Sequence, residues 1–399
     1  MTDALAHRGP DGEGYWQNES GHVLLGHRRL SIIDLSEAGH QPMHYLGRYT
    51  IVHNGELYNY IELKEQLQKS GYAFRSATGT EVIAAAYDCW KGDCLQKFDG
   101  MFAFAIWDEQ NKELFAARDR LGEKPFYYSA SGGNFLFAKV YELAKQHGVK
   151  VLLDGQGADE LLAGYHKYYK WYWQELFRKG KLSGRKELKS ARALGITEPF
   201  TWKNKIAAWF PAFASIVMER QYLLKAVAHP DLTKEFVQQQ SREAYYSPPD
   251  HFTLNGVLHF STFVHGLQEL LRFSDRNSMA HGREVRLPFL SHELVEFLFS
   301  LPSDYKIRNG WTKWLLREAM KQHLPESIVW RRDKVGFEPP QKNWMQDNRV
   351  QGEIQSAKGK LVEEKILKPE VLQKKINPHS SHEAESYDWR YLSASLLFK

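Results

Sequence analysis

The sequence predicts a mixed α/β protein built in two parts, and three observations carry that prediction. Over residues 1 to about 138, short apolar runs of strand type surround two helical patterns and are joined by glycine-rich turns. From Val140 onward the pattern becomes mainly helical. Early in that second part, Val149 and Val151-Leu152-Leu153 make a short run that reads as a buried, parallel-type strand. It breaks at Asp154-Gly155-Gln156-Gly157 and continues as Ala158-Asp159-Glu160-Leu161-Leu162-Ala163, a helix start with acids at its positive end. Strand, glycine turn and helix in succession put backbone N–H groups and carboxylates at the carboxyl edge of a sheet, where open α/β sheets bind their ligands. Taken alone, the two glycines fit a tight turn as well as a nucleotide site.

Bulk properties narrow the class. A chain of 399 residues is long enough for two domains with sizeable cores. It carries no apolar run that would span a bilayer, and Met1-Thr2-Asp3-Ala4-Leu5 does not read as a signal peptide. The net charge of +5 is spread among interspersed acids and bases, which gives weak grounds for nucleic-acid binding. Cys89 and Cys94 are the only cysteines, as expected of a reduced, cytoplasmic protein, and with no histidine nearby they argue against zinc.

In chain order, His22–His27 and Tyr49–His53 read as strands, Tyr60–Gly71 and Glu81–Trp90 as helices. Met101–Trp107, Glu113–Arg118, Phe126–Ser129 and Asn134–Ala138 read as further strands. Three polar clusters lie between them: His7–Gly12, His27–Ile32 with a basic pair, and Asn54–Asn59 after a strand. An arginine for a carboxylate, an amide with a glycine N–H for an oxyanion and a carboxylate for an ammonium suit a free amino acid. Asn54-Gly55 alone also fits a hairpin turn.

In the second part, Tyr165–Trp173 is a dense aromatic patch, better explained by helix packing than by base stacking on its interleaved lysines. Lys179–Ala193 reads as a solvated basic stretch, and Ser247–Asp250 as a loop. Phe263–Met279 reads as one helix. Its Arg272, Asp275 and Arg276 could line a phosphate and carboxylate pocket or form a surface ion-pair ladder. Asn309–Arg317 reads as a helix start with Lys313 in its first turn, where a cation suits an anionic ligand. Arg331–Phe337 is a basic loop.

HRGPDG, HRRLSIIDL, QPM, IVHNGELYN, TEVI, GMFAFAIWD and ARDRLGEKPFYY occur in that order. This array resembles the glutaminase domain of the class II glutamine amidotransferases, in the N-terminal-nucleophile hydrolase group, and within it the asparagine synthetase family. LLDGQGADELLAGY, DRNSMAHGREVRLPFL, KWLLREAM and RRDKVGF then resemble that family's synthetase domain. The resemblance implies an αββα glutaminase domain over 1–138 and an adenine-nucleotide α-hydrolase-like domain, apparently incomplete, over 139–399. It places the arginine that holds the glutamine carboxylate on Arg29, the oxyanion-hole pair on Asn54 and Gly55, and a glutamine-binding glutamate on Glu56. ATP falls to Asp154 and Gly155, and pyrophosphate to Lys313. Adenylate formation depends on the next position, Gln156, where many members have glutamate. Asp159 and Glu160, with Arg276 beside them, are placed for Mg²⁺ or the aspartate substrate.

Three departures weigh against glutamine hydrolysis and nucleotide chemistry by the chain as written. The family nucleophile is a cysteine at the mature amino terminus, with its own α-amine as base. Here Met1 stands first, and Cys89 and Cys94 lie outside that motif. Gly79 occupies the place of an aspartate that grips the glutamine ammonium. The family's Ser-Gly-Gly-x-Asp-Ser phosphate loop is absent, and Ala138-Lys139 joins the end of one domain to a helix deep in the other. A continuous backbone there would keep successive Cα atoms about 3.8 Å apart.

The expected reaction is ATP-dependent synthesis of asparagine from aspartate through β-aspartyl-AMP, with glutamine or ammonia as nitrogen donor, ATP and Mg²⁺ as cofactors and a dimer as the family's usual assembly. Two alternatives stay open: a related synthetase that amidates another carboxylate, and a catalytically silent binding or regulatory protein.

Overall fold

The computed structural model describes residues 5–124, 126, 148–182, 186–240, 249, 252–332, 341–380, 383 and 387–396. The described residues fall into two compact units. One comprises the chain up to Tyr172 together with Thr253–Leu316, and the other Trp173–Phe252 with the chain from Arg317 onward. All but Phe126 of the strand expected at Phe126–Ser129, the strand expected at Asn134–Ala138, the Ala138-Lys139 junction, all but Pro249 of the Ser247–Asp250 loop and most of the RRDKVGF loop lie outside the described residues.

The first unit is organised by an antiparallel four-stranded sheet. Its order is β3 (Met43–Tyr45), β4 (Tyr49–Leu57), β5 (Gly100–Asp108) and β6 (Glu113–Arg118). The apolar run of β5 dictates a partner of equal length, so β4 pairs with it over all nine residues, from Tyr49↔Asp108 to Leu57↔Gly100. Asn54-Gly55 therefore lies inside a strand, which corrects both the expected strand end at His53 and the hairpin reading. Gly55 has φ +134°, and a Cβ there would stand 2.0 Å from the Met101 carbonyl oxygen, so only glycine fits. The hairpin turn belongs instead to Asn309-Gly310, between β9 (Ile307–Arg308) and β10 (Trp311–Thr312). That hairpin delays the next helix to Trp314–Met320 and leaves Lys313 just before it, at φ +54°.

Helices Tyr60–Lys69 and Gly79–Trp90 cover one face of this sheet. Leu63, Leu67, Val82 and Ile83 bury themselves against Ile51, Leu57, Phe102, Phe104 and Ile106. Glu81 is buried in this helix and accepts the backbone N–H groups of Arg75 and Ser76, which fixes the loop leading to Thr78. A short hairpin, β1 (Gly12–Gln17) with β2 (Leu24–Arg29), was not foreseen in full; it ends beside the sheet with Gly12 opposite Arg29.

The remainder of this unit contains β7 (Val151–Leu153), paired in parallel with β8 (Glu284–Arg286). The parallel pairing agrees with the expectation, but the burial does not: Leu153 is 75 % exposed. With one neighbouring strand among the described residues, β7 packs Leu152 inward and presents Leu153 outward. The helix after the glycine turn is a single turn, Ala158–Leu161. The helix expected over Phe263–Met279 runs Leu267–Ala280, starting later because the His265 N–H returns to the Phe260 carbonyl and closes a separate helix, Leu254–Phe263, ahead of it. Tyr168, Tyr169 and Tyr172 are buried, as helix packing requires.

The second unit is helical. Its core joins Leu361, Leu367, Val371 and Tyr391, with Tyr391 donating to the buried Asp231 at 2.7 Å. Helix Lys186–Ala193 is solvated on most sides but buries Leu188 and Ala191.

Candidate functional site

Two groups of residues in the first unit match the residue types singled out from the sequence. The first is a cavity of about 110 Å³ whose lining includes Arg29, Asn54, Gly55, Glu56, Thr78 and Gly79. Arg29 comes from the end of β2, and its guanidinium donates to the carbonyls of Ser36, at 2.9 Å, and Asp34. Asp34 accepts from Ser36 and from the Ala77 N–H at 3.1 Å, bonds that hold its carboxyl below the usual range and tie this rim to the loop before Thr78. Asn54, Gly55 and Glu56 enter from the carboxyl half of β4. The single register of β4 on β5 thus sets all three.

The floor was not foreseen. Gln41 accepts the His53 N–H at 2.6 Å, and the Thr80 hydroxyl meets His53 Nδ1 at 3.1 Å. Burial pushes His27 down to about 4 and His53 to about 3, so both imidazoles are neutral at neutral pH. Lys124 and Glu284 also line the cavity. Burial, reinforced by the Glu284 carboxylate and opposed by Arg286 and Lys124, pushes Glu56 up to about 7. Of these residues only Glu284 carried a signal in the sequence, as a charge that flanks Val285 with Arg286 just before the apolar Leu287-Pro288-Phe289-Leu290.

Asp275 is the second surprise. It is neither pocket ligand nor surface ladder but a buried anion: Arg8 Nη2 donates to Oδ2 at 2.7 Å, and Lys124 Nζ lies 3.8 Å from Oδ1. Arg276, the next residue, is half-buried on helix Leu267–Ala280, and Arg272 is exposed.

The second group is the glycine loop. The Asp154 N–H donates to the Arg286 carbonyl at 3.0 Å, which carries the β7–β8 ladder one step past the strand. Gln156 Nε2 donates to Asp154 Oδ2 at 2.7 Å. Gly155 is exposed, and nothing stands within 4 Å of where its Cβ would be, so the loop is open rather than sealed. Lys313 pairs with Asp159 at 2.7 Å, and its N–H donates to the Leu162 carbonyl. Gly164 allows that pair, because a Cβ there would lie 1.7 Å from Asp159 Oδ1. Buried Glu160 accepts the Tyr165 hydroxyl at 2.8 Å.

Asp159 and Glu160 thus both have protein partners, and among the described residues no group of three acidic, histidine or cysteine side chains could hold a metal. These residues do not fit a resident Mg²⁺. Cys89 and Cys94 are free thiols, and burial pushes Cys94 up to about 12.

Two family models match. One described as a glutamine amidotransferase domain covers residues 1–181, and one described as asparagine synthase covers residues 104–399. Among curated proteins, the chain is 45 % identical over 165 residues to the glutamine-hydrolysing asparagine synthetase 3 of Bacillus subtilis (strain 168), covering 40 % of this chain and 26 % of that protein. It is 47 % identical over 139 residues to asparagine synthetase 1 of the same organism, covering 35 % and 22 %. The amidase chry2 of Gibberella zeae is 44 % identical over 137 residues, covering 34 % and 20 %. The matched segments span about a quarter of the length of these relatives. No helix among the described residues is long and apolar enough to cross a membrane.

Proposed function

The chain belongs to the asparagine synthase family, and from that premise we propose that it serves the ATP-dependent synthesis of asparagine from aspartate, with glutamine or ammonia as nitrogen donor. The observation that carries this reading is the single cavity lined by Arg29, Asn54, Gly55 and Glu56. Arg29, already oriented by two carbonyls, holds the α-carboxylate of glutamine. Asn54 and Gly55 offer donors to the side-chain amide oxygen of bound glutamine, while releasing its ammonia needs a nucleophile that these residues do not supply. Glu56 takes the α-ammonium, and the arriving cation lowers the raised pKa of that carboxyl and ionises it. Gly79 brings no carboxylate to this wall, so ammonium recognition falls to Glu56, with Glu284 the neighbouring carboxylate in the same lining.

In the second step, Asp154 and Gly155 meet ATP, brought as its Mg²⁺ complex, while the aspartate β-carboxylate attacks the α-phosphorus and pyrophosphate leaves. Lys313 neutralises pyrophosphate only by giving up some of its pairing with Asp159, so binding competes with an existing contact. Gln156, an amide, positions the acyl-adenylate without acting as a base. Glu160 and Arg276 face aspartate in this reading. Ammonia then displaces AMP from β-aspartyl-AMP to give asparagine. No step is assigned to a protein-bound metal. We place the domain boundary near residue 138 and expect a cytoplasmic dimer.

Calorimetry with L-glutamine, and ATP–pyrophosphate exchange dependent on aspartate, test the two halves. Binding together with exchange supports the reading. Glutamine binding without exchange with any carboxylic acid overturns the synthetase half and leaves a binding protein. Exchange with another carboxylic acid, and not with aspartate, assigns a different acceptor.

A further inference from the structure

Arg286 touches both groups of site residues, and it does so with different atoms. Its carbonyl accepts the Asp154 N–H at 3.0 Å and thereby fixes the first amide of the glycine loop. Its side chain points into a carboxylate pair: Nε donates to Glu284 Oε1 at 2.8 Å, and Nη2 lies 3.7 Å from Glu56 Oε2. The first contact is a hydrogen-bonded ion pair. The second is an ion pair beyond hydrogen-bond reach, and it varies with whatever else Glu56 holds. Glu56 and Glu284 both line the amino-acid cavity, with side-chain exposures of 12 % and 8 %.

The connection is short and stiff. β8 has three residues, and the register Leu153↔Arg286 leaves no slack between its last residue and Asp154. The other end of β8 is held as well, since the Glu284 N–H donates to the Lys150 carbonyl at 2.9 Å, and Lys150 Nζ reaches the carbonyl of cavity-lining Ser31 at 3.0 Å. A change in how Glu56 is engaged alters the pull on the Arg286 guanidinium. The residue that feels this pull also holds the loop's first hydrogen bond.

We propose that Arg286 is a positioning residue that couples the amino-acid cavity to the nucleotide loop, so that occupancy of Glu56 changes the order of Asp154 to Glu160. This rests on the functional reading above for the identities of the two ligands, but not for the linkage itself. The guanidinium is held between Glu56 and Glu284, with Lys124 the other cation facing Glu56.

Amide hydrogen exchange over residues 151–161 in the full chain tests the linkage. Glu56→Gln removes the charge Arg286 faces without adding bulk, and it changes exchange at Asp154 by about fivefold or more, the lower end of ordinary coupling. In an Arg286→Lys background, where the fork is lost and the charge kept, the same Glu56→Gln change produces less than half that effect. L-Glutamine added to the unsubstituted chain shifts the same amides. Unchanged exchange in Glu56→Gln, with glutamine binding lost, overturns the coupling and leaves the amino-acid reading standing. A shift in Glu56→Gln from a chain that binds no glutamine supports the linkage and overturns that reading instead. Equal effects in both backgrounds show that Arg286 is not the connection.

Discussion

Replacing Asp275 with alanine probes the ion cluster that joins the amino-terminal segment to helix Leu267–Ala280. Asp275 has a side-chain exposure of 3 % and Lys124 of 5 %, so water screens neither, whereas Arg8, at 22 %, keeps partial solvation. Asp275→Ala takes one carboxylate away from Lys124, which stays buried with Glu56 and Glu123 among its remaining acidic neighbours, while Arg8 can rehydrate. Removing one partner of a buried pair costs about 3–5 kcal/mol, and the solvated arginine places this case near 3 kcal/mol. Lys124→Met leaves the 2.7 Å Arg8–Asp275 bond intact and costs less, about 1–2 kcal/mol. In the double substitution no cation is stranded, so its cost falls below the sum of the singles by about 1–2 kcal/mol. Urea unfolding followed by tryptophan fluorescence gives all four corners of the cycle. An Asp275→Ala loss below about 1 kcal/mol, or strict additivity with Lys124→Met, would refute the claim that Asp275 compensates a buried lysine.

Four further outcomes follow from the same geometry. Gly55→Ala, with its Cβ 2.0 Å from the Met101 carbonyl at φ +134°, costs about 3 kcal/mol or more and is read as a lowered melting temperature. Arg29→Met leaves the melting temperature within a degree or two but weakens glutamine binding about tenfold or more, since rim carbonyls and not core packing hold this side chain; calorimetry decides. Gly164→Ala drives Asp159 away from Lys313 and slows ATP–pyrophosphate exchange more than it destabilises the fold. The pH profile of stability carries opposed contributions. Glu56 and Glu123, raised by burial to about 7 and about 8, stabilise below the ordinary carboxylate range and lose that contribution as pH rises through those values. His27 and His53, lowered to about 4 and about 3, stabilise above about pH 6.5 and lose that contribution as pH falls toward the lower values. Melting temperature is therefore level between about pH 4.5 and 6.5 and declines toward pH 8, and Glu123→Gln flattens the decline; an undiminished decline in that variant contradicts the assignment.

Local chemistry determined much of this protein from the sequence alone. Helices Tyr60–Lys69 and Gly79–Trp90 and strands β5 and β6 were legible because periodicity, caps and apolar runs act within a few residues. Residue chemistry pointed to the Arg28-Arg29 pair and to Asn54, Gly55 and Glu56 as suited to an amino acid, the family resemblance chose Arg29 of the pair, and these four line one cavity. Where a distant partner set the outcome, only the tertiary structure decided it. One Asn-Gly pair is a hairpin turn at 309–310 and the other a strand interior at 54–55, because β5 offers nine residues of ladder to the second. Asp275 suited a ligand pocket or a surface ladder equally until Arg8 and Lys124, remote in the chain, enclosed it. Arg286 gained its place between two sites only when a parallel three-residue strand set its carbonyl against Asp154 and its side chain against Glu56. Backbone preference is a property of neighbours in sequence; burial and charge compensation are properties of neighbours in space, and those are fixed only when the chain folds.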